Sequence, residues 1–312
     1  MPIQLSWFFA DIPRIARGIY SRRGHFILEL IQNVEDADFN HADKPWISFE
    51  VSPQKIVVES NQDGFGANDV RQICDTGNSW KNGRRGYVGE KGIGFKSVFK
   101  VASRVDIQSN AFSFYFEYNG GVTSEDKLGI ITPIVGDDPI PLRSRPLTRM
   151  TLTLDGNTRY PDLVSDFTAI PNTLLLFLSK IKEIRFKIHY PDQGRTTFST
   201  FRISAEAQGI TCISRHVEGT GSPDEWRYHV MRAPAVELPD DPARPNVSEC
   251  EVVLAFPVDE NGCPRMHTQH DVYAFLPVCT VGFNVSSLKY CSIVQLTSVT
   301  VPHSIRLPFT GK

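Results

Sequence analysis

The sequence lacks an excess of charge of either sign. Its 33 lysines and arginines are nearly matched by 35 aspartates and glutamates, which leaves a formal net charge of −2 at pH 7 with neutral histidines. Proteins that hold nucleic acid by its phosphates usually carry a basic excess, because that charge supplies most of their non-specific affinity. We therefore expect the partners of this chain not to include nucleic acid.

Long apolar runs and a secretion signal are missing as well. The longest apolar runs, such as residues 174–178 (LLLFL), are far shorter than the ~20 residues that are needed to span a bilayer. The first residues show no basic segment ahead of their apolar ones and no small-residue cleavage site. We expect no membrane partner and a cytoplasmic or nuclear location.

Cysteine is present in six copies, but no two of them form a C-x-x-C pair. A dense disulfide framework is therefore excluded, and we expect the thiols to be reduced. A zinc site could be considered at Cys263, His267, His270 and Cys279. Structural zinc sites usually contain closely spaced pairs of cysteines, which are missing here. We expect no zinc there.

The first 190 residues mix helical and strand-like periodicity, whereas the rest is mostly strand-like. Apolar spacings of three and four predict helices, and β-branched or alternating runs predict strands. Helices are predicted at residues 12–20, 25–38, 67–74 and 95–101. Strands are predicted at residues 46–51, 55–60, 105–108, 112–118, 150–154, 184–188, 198–203, 226–231, 251–256 and 272–276.

This order of elements predicts an α+β fold. Over residues 1–190 we expect a two-layer α/β sandwich, in which helices cover a mixed, mostly antiparallel sheet. A smaller, mostly β domain is expected over residues 191–312. The weak periodicity after residue 283 predicts that this second domain is incomplete at its C-terminus.

Residues 75–94 contain six glycines and predict a long functional loop. The end of this loop, GEKGIGFKS at residues 89–97, resembles phosphate-binding sequences but fits neither common pattern. The Walker pattern needs lysine directly after its second glycine, where Phe95 stands. The dinucleotide pattern needs a third glycine, where Ser97 stands. Another way of holding phosphate is required.

One face of the predicted helix at residues 25–38 carries oxygen ligands. Glu29 and Asn33 are four residues apart and Asp36 follows three later, so the three side chains share one face. Mg²⁺ prefers oxygen ligands, which the Asn33 carboxamide and nucleotide phosphates can supply. Glu29 would then remain to activate a water as a general base.

Three segments in order resemble the GHKL ATPases, namely HFILELIQNVEDA, NQDGFG and GEKGIGFKSVF. This superfamily includes gyrase, the histidine kinases, MutL and the large heat-shock chaperone. Within it, residues 20–39 and 68–101 are most similar to the ATP-binding domains of the sacsin and NO VEIN branch. The resemblance covers roughly residues 5–190 and implies the sandwich fold of these ATPases.

The resemblance implies roles for individual residues. Glu29 would be the water-activating base and Asn33 the Mg²⁺ ligand, while Asp36 and Ala37 would border the nucleotide. Thr148 would support the adenine side of the pocket. Backbone amides and lysines of a lid would contact the phosphates, and this lid would consist of Gly89, Lys91, Gly92, Ile93, Gly94, Phe95, Lys96 and Ser97.

The adenine-binding segment departs from the family pattern. The family shows D-x-G-x-G, and alignment on Gly64 and Gly66 places Gln62 at the aspartate position. An acceptor is all that the contact with the adenine amino group needs. The acceptor for the adenine amino group could therefore be any one of Asn61, Gln62 and Asp63.

Together these residues predict a domain that binds ATP and hydrolyses it slowly with Mg²⁺. Nucleotide occupancy would close the lid and change contacts with a client protein or a second copy, in a chaperone-like way. The alternative is a nucleotide-binding scaffold or interaction module without hydrolysis. In a third hypothesis, the second domain sends a lysine to the γ-phosphate, and this hypothesis depends on Lys289.

Overall fold

The fold is that of a computed structural model, which describes residues 24–74, 95, 97–118, 133–135, 148–206, 209–236, 249–265, 270–274, 276–281 and 286–287. The described residues divide into two compact units, the first over residues 24–227 and the second over residues 228–287. The predicted helix at residues 12–20 and the predicted loop at residues 75–94 lie outside the described residues. The predicted domain boundary at residue 190 stays a prediction.

Among the described residues, strands outnumber helices. The first unit contains helices α1 (His25–Glu35), α2 (Ala67–Cys74) and α3 (Tyr160–Thr168), and 3₁₀ helices at Ser97–Lys100, Asn172–Phe177 and Pro191–Gln193. Its strands are β1 (Trp46–Val51), β2 (Lys55–Ser60), β3 (Ala102–Ser109), β4 (Phe112–Glu117), β5 (Ile134–Val135), β6 (Thr148–Leu154), β7 (Glu183–Tyr190), β8 (Arg195–Ala205) and β9 (Ile210–Val217). Strand β10 (Asp224–Val236) begins in this unit, and the second unit contains β11 (Glu249–Val258), β12 (His270–Ala274), β13 (Leu276–Val281) and β14 (Ser286–Ser287). No helix in the described ranges is long and apolar enough to cross a membrane.

Strands β1 to β9 of the first unit lie in one mixed sheet, in the order β5-β4-β3-β6-β2-β1-β7-β8-β9. The central β1–β7 pair is parallel and places Phe49 opposite Phe186. The other pairs of this unit are antiparallel. In the second unit, β12 pairs with β13 antiparallel, and β14 pairs with both β11 and β12.

This architecture contradicts the predicted two-layer α/β sandwich followed by a smaller β domain. The described residues are dominated by a broad mixed sheet, and only three α-helices occur among them. Strands β8 and β9 extend the sheet beyond β7. The prediction was wrong because a periodic pattern identifies a strand but does not identify the strand that it pairs with.

Helices α1 and α3 share an aromatic core with the centre of the sheet. The rings of Phe26 in α1 and Phe167 in α3 have centroids 6.2 Å apart. The Phe167 ring lies 5.4 Å from Phe49 and 6.1 Å from Phe186. None of these four residues is more than 5% exposed. Helix α3 therefore packs against the parallel strand pair and against α1.

Glu183, at the start of β7, is a buried carboxylate held by arginines. Its side chain is 3% exposed, and its Oε2 accepts a hydrogen bond from Arg202 Nε at 2.6 Å while its Oε1 accepts one from Arg185 Nε. Burial opposes ionisation, but the hydrogen bonds from Arg202 and Arg185 outweigh it and lower the pKa of Glu183. The ionised carboxylate therefore stabilises the fold above its unfolded pKa. This contribution is lost as the pH falls through the lower folded pKa.

We expect Glu183→Gln to lower the free energy of unfolding by about 2 kcal/mol at neutral pH, the scale of a hydrogen bond to a charged group. Urea unfolding of both proteins at neutral pH and at about pH 3 measures this, and the deficit should shrink in acid. Glu117→Gln is the matched control, since this carboxylate is 38% exposed, and we expect a change within about 0.5 kcal/mol. An equal deficit at both pH values would contradict the role of the charge.

Candidate functional site

Helix α1 carries Glu29 and Asn33 on one face and ends at Glu35, directly before Asp36. The opposite face is at most 5% exposed and consists of Phe26, Ile27, Leu30, Ile31 and Val34. The Glu29 side chain is 15% exposed, whereas Asn33 and Asp36 are exposed. The Asn33 carboxamide is therefore accessible to a ligand, and Glu29 lies partly enclosed one turn away.

The Glu29 carboxyl group lies in a weakly solvated position beside His25. Oε1 of Glu29 is 3.5 Å from Nδ1 of His25, whose side chain is 4% exposed. Burial raises the pKa of Glu29. Burial also lowers the pKa of His25, helped by the charge of Lys100 and opposed by a backbone hydrogen bond. A carboxylate with a raised pKa is a stronger base, which favours abstraction of a proton from water.

Glu35, the last residue of α1, anchors the helix to a distant segment. Its carboxylate accepts hydrogen bonds from the backbone N–H groups of residues 179–181, two of them at 2.9 Å. Lys180 Nζ in turn donates to the carbonyl oxygen of Ala37 at 2.6 Å. Glu35 is only 5% exposed, so this contact fixes the C-terminal end of the helix within the core.

Hydrogen bonds join the segment after α1 to the turn at residues 61–66. The N–H of Asp63 donates to the carbonyl oxygen of Asp38 at 2.9 Å. The Asp63 carboxylate accepts hydrogen bonds from the N and Nδ2 atoms of Asn40, at 2.8 and 2.9 Å, and from the N–H of His41 at 3.1 Å. Burial opposes ionisation, but these donors outweigh it and lower the pKa of Asp63. The segment NQDGFG is thereby connected to the residues that directly follow the segment HFILELIQNVEDA.

The neighbouring amide side chains, Asn61 and Gln62, differ in their contacts. Asn61 Oδ1 accepts a hydrogen bond from the N–H of Trp46 at 2.7 Å, and Asn61 Nδ2 donates to the carbonyl oxygen of Lys44 at 2.9 Å. Gln62 is 3% exposed, and its side chain makes no hydrogen bond within the described part of the chain. Asn61 therefore positions the segment before β1, whereas the side chain of Gln62 forms no hydrogen bond within the described part of the chain.

Gly64 allows this turn to approach the β3–β4 turn closely. Its φ angle is +85°, a conformation that other residues rarely adopt. A Cβ atom at Gly64 would lie 2.2 Å from Nδ2 of Asn110. The same Nδ2 donates to the carbonyl oxygen of Asp63 at 3.0 Å. Glycine is therefore required for both the backbone conformation and the contact.

Three buried hydroxyl groups lie side by side at the end of the sheet next to the turn. Ser60 of β2, Thr148 of β6 and Ser109 of β3 occupy one register row, are at most 2% exposed, and project from one face. Ser109 Oγ lies 2.7 Å from Thr148 Oγ1 and accepts a hydrogen bond from the N–H of Phe65 at 2.8 Å. Ser60 Oγ has no hydrogen-bond partner among the described residues. Thr148 thus belongs to a polar row that holds an unsatisfied hydroxyl.

The predicted lid is described only in part. Phe95 is 5% exposed, and its ring centroid lies 5.6 Å from Phe116 and 6.2 Å from Phe99. Ser97 begins a 3₁₀ helix. The phosphate-contacting roles stay predictions, and the lid residues outside the described part are Gly89, Lys91, Gly92, Ile93, Gly94 and Lys96.

The described residues contain no group of three or more His, Cys, Asp or Glu side chains arranged to hold a metal. This finding does not bear on a Mg²⁺ site built from Asn33 and phosphate oxygens, because such a site uses one protein ligand. His267 and Lys289, which the zinc and lysine hypotheses need, lie outside the described residues. Both hypotheses stay untested.

Sequence analysis did not identify Ser60, Ser109, His25 or Glu35 as parts of the site region. The signal for the two serines was present, because the alternation of buried residues along β2 and β3 extends to each of them. A polar residue that falls on the buried side of a strand, at the end of that strand, indicates a possible site. Glu35 gives no local signal, since its partners lie 144 to 146 residues further along the chain.

The chain is similar to curated proteins that are much longer. It is 31% identical to Protein NO VEIN of Arabidopsis thaliana over 86% of its own length, a region that makes up 10% of that protein. It is 30% identical to Chaperone protein HtpG of Aliarcobacter butzleri (strain RM4018) over 30% of its own length and 20% of that protein. No protein-family model matches the chain.

The comparisons confirm the predicted similarity to NO VEIN, while the wider assignment to the GHKL superfamily stays a prediction. They also add a partial similarity to a chaperone, HtpG. By sequence, therefore, the chain is distantly homologous to NO VEIN over most of its length and weakly similar to HtpG over a smaller part.

Proposed function

We propose that this chain binds ATP, hydrolyses it slowly with Mg²⁺ as cofactor, and changes conformation with nucleotide occupancy. The observation that carries this proposal is a chain of hydrogen bonds. Asp38, in the segment that follows α1, is bonded to Asp63 in the turn at residues 61–66, and this turn is bonded to Ser109, which contacts Thr148. Hydrogen bonds thus link the chain that follows the partly buried Glu29 and the exposed Asn33 to the polar end of the sheet at Ser109 and Thr148. The similarity to a protein named as a chaperone supports a chaperone-like use of the switch.

The donor set of α1 fits a magnesium nucleotide. Asn33 is exposed and offers a neutral amide oxygen, and Glu29 lies one turn away on the same face with 15% exposure. Mg²⁺ accepts such a set because it keeps several waters and takes its other ligands from the phosphates. When bound, the ion would neutralise phosphate charge and link the nucleotide to Asn33.

Glu29 would act as the general base of hydrolysis. A water attacks the γ-phosphorus and passes a proton to the Glu29 carboxylate, while the bond to the bridging oxygen breaks and ADP leaves. Phosphate then departs, and the proton returns from Glu29 to solvent. The raised pKa of Glu29 favours the proton transfer, and His25, 3.5 Å away, would orient the carboxylate.

The switch would follow from contacts that differ between the nucleotide states. A ligand shifts a conformational equilibrium only by its difference in affinity for the two states. The segment at residues 89–97 would contact the phosphates before hydrolysis and release them afterwards, as the resemblance implies. The resulting change would act on a client protein or on a second copy of the chain.

Calorimetric titration with ATP and Mg²⁺, with phosphate release measured on the same samples, tests this function. The wild type should bind ATP and release phosphate, and Asn33→Ala should lose Mg²⁺-dependent affinity by on the order of tenfold or more because the amide ligand is gone. Asn157→Ala removes another exposed carboxamide and should bind like the wild type. Binding without phosphate release would favour the scaffold, and absence of binding by the wild type would contradict the proposal.

A further inference from the structure

The turn at residues 61–66 contains three polar side chains that could contact a nucleotide base, and two of them are used within the protein. Asn61 binds the backbone at both ends of its carboxamide, with hydrogen bonds of 2.7 and 2.9 Å. Both carboxylate oxygens of Asp63 are engaged by Asn40 and His41. Releasing either side chain to a ligand would break the contacts that shape the turn.

Gln62 differs from both neighbours because no hydrogen bond within the described part of the chain engages its carboxamide. The residue is 3% exposed and makes no side-chain hydrogen bond within the described ranges. Ser60, two residues earlier, is 1% exposed and carries the hydroxyl that has no partner among the described residues. A buried hydroxyl without a partner, such as that of Ser60, is unfavourable. A ligand that hydrogen-bonds to Ser60 and to the Gln62 carboxamide would therefore be stabilised at this position.

The polar groups of Gln62 and Ser60 have no fixed polarity. A carboxamide presents one acceptor oxygen and one donor nitrogen, and its two ends exchange places on rotation by half a turn. The Ser60 hydroxyl can also donate or accept, since its hydrogen rotates, whereas Thr148 and Ser109 are hydrogen-bonded to each other. The Asp63 carboxylate, which only accepts, is directed to Asn40 and His41 instead.

We propose that Gln62 binds the base of the nucleotide and that the site therefore accepts 6-amino and 6-oxo purines alike. This inference rests on the proposed nucleotide-binding function. Adenine presents an amino donor at position 6 beside the acceptor N1, whereas hypoxanthine presents the acceptor O6 beside the donor N1–H. One rotamer of the Gln62 carboxamide pairs with the first edge, and the rotamer turned by half a turn pairs with the second.

Calorimetric titration of the full chain with ADP and with IDP, each with Mg²⁺, tests the inference. These diphosphates differ only at the base edge in question and avoid turnover. The wild type should bind both with dissociation constants within about tenfold of each other, and Gln62→Leu should weaken both by about tenfold. Gln62→Met serves as a second variant if Gln62→Leu does not fold. Gln54→Leu, at an exposed glutamine, should change neither affinity.

Each contrary result has a distinct meaning. A wild-type preference for ADP over IDP of more than about a hundredfold would overturn the inference and leave nucleotide binding intact. Unchanged affinities in a folded Gln62→Leu or Gln62→Met variant would overturn it as well, because Gln62 would then not contact the base. Failure of the wild type to bind either nucleotide would overturn the proposed function, and this inference with it.

Discussion

Replacement of Glu29 by glutamine should reduce the rate of phosphate release by a factor on the order of 10²–10⁴, the usual contribution of a general base. The carboxamide keeps the size of the side chain but cannot take up the proton of the attacking water. Affinity for ATP should stay close to that of the wild type, because Asn33 rather than Glu29 is assigned to the cation. Phosphate release at saturating ATP, combined with calorimetry, measures both quantities.

The pH dependence of stability separates the catalytic role of Glu29 from a structural one. Because burial raises the pKa of Glu29, its ionisation is disfavoured in the folded protein. Wild-type stability therefore falls as the pH rises from the unfolded pKa through the raised folded pKa. Glu29→Gln should be at least as stable as the wild type at neutral pH, and this advantage should vanish in acid.

A surface carboxylate provides the matched control for Glu29→Gln. Glu117, on β4, is 38% exposed and forms an ion pair with Arg104 of β3. Glu117→Gln should retain full turnover. If Glu29→Gln keeps a turnover within about threefold of the wild type, Glu29 is not the base. Loss of ATP binding in Glu29→Gln would likewise contradict the separation of roles between Glu29 and Asn33.

Replacement of Phe167 by alanine should lower the free energy of unfolding by about 3–5 kcal/mol, the cost of a large-to-small change in a packed core. The ring is 2% exposed and contacts aromatic rings of α1, β1 and β7. Such a loss is a large part of the ~5–15 kcal/mol that stabilises a typical domain. Urea unfolding monitored by circular dichroism measures it.

The Phe167 substitution should also weaken nucleotide binding, because α3 supports the start of α1. A Cβ atom at Gly24 would lie 3.0 Å from Asp166, so the two helices meet where α1 begins. Phe198→Ala is the control, since Phe198 is 42% exposed, and we expect it to change stability by no more than about 0.5 kcal/mol. Equal effects of the two substitutions would contradict the assignment of Phe167 to the core.

Local elements could be predicted from the sequence where the periodicity was strong. Strands β1 and β2 and helix α2 cover the predicted residues. The helix predicted at residues 25–38 is confirmed over His25–Glu35 and ends early, since Asp36 is its C-cap. The strand predicted at residues 272–276 is confirmed over residues 272–274, which belong to β12, whereas Leu276 begins β13. An apolar run does not show where a chain reverses.

The sheet order and the internal contacts of the site region could not be predicted, because their partners are distant in sequence. Nothing near Trp46 indicates that β1 pairs in parallel with β7, which starts at Glu183. Sequence identifies Asn61, Gln62 and Asp63 only as residues able to accept a hydrogen bond. Which of them is used internally depends on backbone groups of the segment before β1, and their positions follow from the tertiary fold.

The contact between Glu35 and residues 179–181 sets an order of events during synthesis of the chain. Helix α1 leaves the ribosome before the N–H groups that bind its terminal carboxylate, which are made 144 to 146 residues later. Strand β7, the parallel partner of β1, is made at the same stage. A nascent chain that ends before residue 179 contains α1 and Glu29 but lacks the hydrogen bonds that hold the end of this helix. The proposed ATP site therefore matures only late in translation of the first unit, whatever the order in which its local elements form.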